Sequence, residues 1–299
     1  MEGDVMVRKY LVSRKFDLLA VLSVVMVLFL AGCGGTTSAH SSSGTTASSS
    51  TNASNSAIAS ATLKHMPYGT ATINWDPLSK GSTVKISLTG MAPTSTHPAN
   101  IHAGSCVKPG AVVYPLQNVV ADVHGVGSST TVIKNVTTLP ASGWYIAVHN
   151  GPGLAPADQS LPIVCSDLTF TKISPAKMMS VQVTLNAAPG SSASETASGT
   201  AHLTLSGSTL TVKLTLSGLQ PKSSHAAHIH VGSCASQGAV VYPLQNVVAD
   251  ASGNANVTTI IKNVSSIPSR NWFVNVHYST DISTQTGFNP IACGNVVVG

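Results

Sequence analysis

The chain has 299 residues and a formal net charge of +5, yet only 8% of its residues are Asp, Glu, Lys or Arg, against roughly 25% in an average globular protein. That length holds one large domain or two of ordinary size. The body of the chain has no basic run, which argues against a nucleic-acid partner.

Arg8, Lys9, Arg14 and Lys15 precede an apolar run from Leu18 to Gly32. The run is shorter than the ~20 residues of a membrane span and follows a basic segment, so it reads as an export signal. It ends in LAGC, residues 30–33, which resembles the lipobox of bacterial lipoproteins. The resemblance implies a signal peptide over 1–32, cleavage before Cys33 and a lipid on its sulfur. An exported protein held to the membrane in a bacterial cell envelope would follow. Residues 33–60 then form a Ser/Thr/Gly-rich tether, with too little apolar surface to offset the entropy of ordering. His40 lies within it.

The next feature is a duplication. GAVVYPLQNVVAD occurs at 110–122 and again at 238–250, an offset of 128 residues. The same offset carries His97 to His225, His102 to His230, Cys106 to Cys234, Trp144 to Trp272, His149 to His277 and Cys165 to Cys293. Two domains are expected, 61–172 and 173–299, with the junction near TKISPAK at 171–177. Each reads as β. STVKISLTG at 82–90 and TLTVKLTLSG at 209–218 alternate apolar and polar residues, as half-buried antiparallel strands do. MSVQVTL at 179–185 also alternates and is expected to open the second copy, followed by a Gly/Ser-rich loop at 186–199. The predicted fold class is all-β, two tandem Greek-key sandwiches or flattened barrels.

Cysteines outside the lipobox number four, which allows three pairings. Only Cys106–Cys165 and Cys234–Cys293 give each copy an equivalent bridge. Each closes a loop of 59 residues, and the chain-entropy model assigns such a loop about 4 kcal/mol.

Histidines are the remaining chemistry. HAAHIHVGSC at 225–234 sets His228 and His230 two apart, so on a strand they share a face and could chelate one ion. His277, on the predicted strand FVNVHYSTD, could add a third nitrogen. Imidazole suits copper, zinc, iron and nickel. The other reading is of exposed strand histidines or a hydrogen-bonded core network. His65, His124 and His202 belong to no such pattern and are expected at surface or turn positions.

The order of motifs over 177–299 resembles the copper/zinc superoxide dismutases: an H-x-x-H-x-H element, ADASGNA, VNVHYSTD and ACGN. The resemblance implies copper ligation by His228, His230 and His277 and a structural role for His225. It also implies the Cys234–Cys293 bridge and an outer-sphere link through Asp281. Superoxide would be the substrate. The departures are specific. The stretch 235–253 contains no histidine, so the bridging and zinc ligands are missing and zinc binding in that manner is not expected. Pro290 stands where the family has an arginine that draws in superoxide, and Pro162 holds that place in copy one. HAAHIHVG, GAVVYPL and WFVNVHYS also resemble the CHRD domain, which is regarded as a binding or structural module and lacks a zinc loop. In copy one Asn100 replaces the first chelating histidine, leaving His102 and His149 as a reduced set, with His97 in the structural place.

No G-x-S-x-G elbow, P-loop or C-x-x-C is present. Two functions stand. One is copper binding by the second domain, with superoxide dismutation implied. The alternative is a non-catalytic envelope module that binds a partner. The sequence names no protein partner.

Overall fold

The computed structural model describes residues 56–171, 177–187 and 196–299. The export signal, Cys33 and the segment 172–176 lie outside the described residues. So do most of the tether and of the 186–199 loop.

The first copy comprises β1 (Ser56–His65), β2 (Tyr68–Asp76), β3 (Gly81–Thr89), β4 (Thr96–His97), β5 (Ala99–Ser105) and β6 (Lys108–Pro115). It continues with β7 (Val119–Ala121), β8 (Gly127–Ile133), β9 (Trp144–His149), α1 (Ala157–Ser160) and β10 (Pro162–Leu168). After β11 (Met179–Leu185) come β12 (Ser198–Ser206), β13 (Thr209–Ser217), β14 (Ser224–His225), β15 (Ala227–Ser233) and β16 (Ser236–Pro243). The chain closes with β17 (Val247–Val248), β18 (Ala255–Lys262), β19 (Trp272–His277), α2 (Gln285–Phe288), β20 (Pro290–Asn295) and β21 (Val297–Val298). The all-β expectation holds. The tether stops short of its expected end, because Ser56–Ser60 already belong to β1.

Alternation fixes which face of each strand is buried, and the two copies build two separate cores. Ile73, Val84, Ile86 and Leu88 fill one; Leu203, Leu210, Val212 and Leu214 fill the other. Burying each such side chain stabilises by about 1.5–3 kcal/mol. Both disulfides form, Cys106–Cys165 and Cys234–Cys293, with Cα atoms 6.0 and 5.8 Å apart.

Strand membership corrects the expected domain boundaries. β11 does not open the second copy's sheet. It pairs with β2, Leu185 facing Gly69 and Val183 facing Ala71, in the order β11-β2-β3-β8-β7-β4. Conversely β1, at the head of copy one, pairs with β12, Leu63 facing Gly199. It also reaches β20 through Lys64 and Cys293. The copies have therefore exchanged their first strands, and the split at 172/173 leaves one strand of each sandwich on the wrong side. The exchange reaches the cores: Ala59, Ala61 and Leu63 pack with copy two, and Leu185 packs with copy one. Gly69 and Gly199 are equivalent close approaches. A Cβ at either would lie 2.0 Å from a carbonyl oxygen, of Ser87 or Thr215.

A cross-strand pair of cysteines distinguishes the two connectivities. Ala71→Cys with Val183→Cys is expected to give a third disulfide, detected by mass mapping. The unexchanged alternative puts residue 183 beside Ala201, so a bridge in Ala201→Cys with Val183→Cys instead would contradict the exchange.

Polar contacts join the copies. The Gln285 amide donates to Thr96 O (2.8 Å) while its Oε1 accepts from Thr96 N (3.0 Å). The Gln237 amide donates to Met91 O (3.0 Å). Asn289 Nδ2 donates to Asn150 O and Oδ1 at 2.6 and 2.7 Å, both residues being buried. Asn150 follows His149 and Asn289 follows Phe288, so this bond ties together the surroundings of the two histidine sites.

Candidate metal centre

Strands β15 and β19 lie side by side, His228 opposite Asn275 and His230 opposite Phe273. Residues opposite one another, or two apart on one strand, share a face. His228, His230, Phe273, Asn275 and His277 therefore project from one side of this pair, away from the core face held by Ile229, Val274 and Val276. The three histidines converge, with one nitrogen from each lying within 4.8 Å of the others, and all three side chains are buried.

Their tautomers follow from their neighbours. A carbonyl oxygen only accepts, so His230 Nδ1–H donates to Gly238 O (3.0 Å) and His277 Nδ1–H donates to Phe288 O (2.7 Å). That leaves a lone pair on each Nε2. His230 Nε2, His277 Nε2 and His228 Nδ1 are buried and have no hydrogen-bond partner. An unpartnered buried polar group costs ~1–3 kcal/mol. Three converging histidines with unpartnered ring nitrogens are the donor set of a transition ion, with backbone carbonyls fixing the His230 and His277 rings from behind. Rings pack around them: Phe273 stacks on His230 and Phe288 on His277, with centroids 4.9 and 4.8 Å apart.

Burial holds the triad neutral. Desolvation lowers the His277 imidazole to about 3, with a smaller contribution from the neighbouring His228 and His230. It also lowers His228 and His230. A neutral imidazole is the ligating form. His277 is fully buried and His230 is 3% exposed, while His228 retains 9%, so the approach to the site passes His228.

The other expected site residues separate clearly. His225 is buried, and its Nδ1 donates to His277 O (3.0 Å) and Tyr278 O (2.9 Å). His97 donates to His149 O (2.7 Å) in the same way. Each therefore braces the strand end that carries a site histidine. Asp281 does not bridge to the triad as the resemblance implied. Its exposed carboxylate accepts from Ser283 Oγ (2.6 Å) and Ser283 N (3.1 Å) and closes a turn. Pro290 opens β20 opposite His277. His65 is not a free surface histidine: it is partly buried, and its Nε2 donates from the exchanged β1 to Ile163 O of β10 (3.0 Å). His124 and His202 are exposed.

In copy one His102 and His149 come together with Asn100. The two Nε2 atoms lie 3.4 Å apart, and Asn100 Nδ2 is 3.3 Å from His149 Nε2.

Sequence reasoning missed Asn275. It is fully buried, and neither its Nδ2 nor its Oδ1 has a hydrogen-bond partner. The available signal was internal, since copy one has Ala147 in that place. The carbonyls of Gly238 and Phe288 were missed because a backbone acceptor carries no residue signature.

Buried histidines also set the pH response of the metal-free protein. Desolvation lowers His65 and His97 from 6.5 to about 4. Between those values the unfolded chain binds more protons than the folded one, so stability is greatest above about 6.5 and falls on acidification towards 4. The urea midpoint is expected to be lower at pH 5 than at pH 7.5, with His65→Gln reducing the difference. A midpoint that rises on acidification would contradict this.

A comparison with curated proteins gives no match. Among solved structures, the crystal structure of a SOD-like protein from Bacillus subtilis is 15% identical. That alignment covers 32% of this chain and 88% of that one, with a TM-score of 0.27. The CHRD domain family model matches residues 176–281, a span that begins just before the exchanged β11 and takes in His225, His228, His230 and His277. The copy with the complete histidine triad thus contains a segment similar to a CHRD domain.

Proposed function

We propose that this chain is an exported, lipid-anchored protein that binds one copper ion in its second copy, through His228 Nδ1, His230 Nε2 and His277 Nε2. The observation that carries this reading is the convergence of three buried imidazoles, one nitrogen of each lying within 4.8 Å of the others, together with an unpartnered buried nitrogen on every ring. A set of three imidazoles without thiolate or carboxylate suits copper, which stands highest in the affinity order of divalent first-row metals. Bound copper supplies one-electron chemistry, and superoxide disproportionation is the reaction the sequence resemblance implies. The chain itself contributes fixed tautomers through Gly238 and Phe288, and aromatic walls through Phe273 and Phe288.

The test is equilibrium loading with copper and zinc, followed by a superoxide-removal assay. One copper per chain that resists zinc exchange, with superoxide removal above that of free copper, supports both binding and dismutation. Copper retention without activity supports binding alone. Zinc displacing copper would overturn the metal assignment.

A non-catalytic module is the second reading, and one observation favours it: copy one keeps the scaffold with an amide at one ligand position. The anchor has its own test. Cys33→Ser is expected to move the protein from the membrane fraction to the soluble fraction, and an unchanged distribution would remove lipidation from the account.

A further inference from the structure

Copy one holds two imidazole lone pairs face to face, and the neutral side chains around them supply one donor, the Asn100 amide N–H on His149 Nε2 (3.3 Å). His102 Nδ1–H donates to Gly110 O (3.2 Å) and His149 Nδ1–H donates to Ser160 O (2.7 Å). Both ring protons are committed to carbonyls, so each Nε2 carries a lone pair. Those two atoms face each other at 3.4 Å. His102 is 9% exposed, His149 5% and Asn100 5%, so little solvent reaches the gap. Two lone pairs held together repel, and a cation between them converts that repulsion into two bonds.

The distances fit a three-coordinate ion. With metal–imidazole bonds of about 2 Å, trigonal ligands stand roughly 3.5 Å apart. The two Nε2 atoms are 3.4 Å apart, and the Asn100 amide nitrogen is 3.3 Å from His149 Nε2. Without a metal the Asn100 Nδ2–H donates to His149 Nε2; a cation in the gap would take that lone pair and favour the flipped amide, with Oδ1 as a third donor.

We propose that copy one is a second metal site, selective for monovalent copper, formed by His102 Nε2, His149 Nε2 and Asn100 Oδ1. Oxidised copper prefers four donors and is held by imidazole nitrogens better than by a neutral amide oxygen; the triad offers three nitrogens and this site two. Reduced copper accepts two or three. The chain would then hold two Cu(I) ions but one Cu(II). The copy-one site stands on its own geometry and does not depend on the triad.

Titration of the full chain with Cu(I) under anaerobic reductant, against a colorimetric Cu(I) chelator, tests this beside an aerobic Cu(II) titration. The expected stoichiometries are two and one. His149→Ala should hold one Cu(I) and still one Cu(II), and the milder His102→Gln should do the same if His149→Ala folds poorly. One Cu(I) in the unaltered chain, lost in His277→Ala but kept in both copy-one variants, would overturn the proposal and leave the triad standing. One Cu(I) lost in the copy-one variants but kept in His277→Ala would uphold it and overturn the triad.

Discussion

His277→Ala is expected to abolish Cu(II) retention while leaving the fold in place. His277 is the fully buried member of the triad and comes from a different strand than His228 and His230. Without it two nitrogens remain, both on β15. Losing an outer-sphere partner of a metal ligand costs 10–100-fold in affinity, so loss of the ligand itself should exceed about 100-fold. His225 would keep its bonds to the backbone of residues 277 and 278, and the Cys234–Cys293 bridge would still hold β20, although Phe288 O loses its imidazole donor. Circular dichroism and the urea midpoint in the metal-free state should therefore change far less than metal affinity. The cavity left among Phe288, His228 and His230 brings some destabilisation. Removal of a buried imidazole that must stay neutral offsets part of it at acidic pH. Affinity within tenfold of the unaltered chain would mean that the triad is not the site.

Asn100→His is the converse experiment and should create a second Cu(II) site. Asn100 and His228 are equivalent by the offset of 128, and both sit opposite a β9 or β19 residue in the same register. The supporting groups are already present in copy one. Gly110 O and Ser160 O take the Nδ1 protons of His102 and His149, as Gly238 O and Phe288 O do in copy two. Tyr145 stacks on His102 at 4.8 Å, as Phe273 does on His230. The new imidazole must enter a buried position and is larger than the amide, so some overpacking cost is expected, of ~1–3 kcal/mol. Copper binding offsets it by mass action. The Cu(II) stoichiometry should rise from one to two per chain. A stoichiometry that stays at one in a folded protein would show that copy one differs from copy two by more than this side chain.

The fold class and the metal-binding geometry were legible in the sequence to different depths. Alternation reports which face of a strand is buried, and the internal repeat reports which cysteines pair. The i, i+2 spacing of His228 and His230 set them on one face without structural help. Alternation does not report which sheet a strand joins. MSVQVTL offers the same buried face, ending in Leu185, to either sandwich, and the equivalent face of β1 ends in Leu63. Their exchange was therefore invisible, and the boundaries at 61–172 and 173–299 cut across it. Asp281 misled because a motif position was carried over from a family whose zinc loop this chain lacks. With no second metal to link, its carboxylate serves the local turn with Ser283. Nothing near His65 in sequence marks its partner, Ile163 O of β10, which the exchange of β1 brings beside it.

X-ray absorption at the copper edge of the loaded chain tests the central claim most directly. Back-scattering from three imidazole rings in the oxidised, singly loaded protein, absent from His277→Ala, is the expected result. A shell of oxygen neighbours without ring scattering, or a spectrum unchanged by His277→Ala, would contradict a copper site built from His228, His230 and His277.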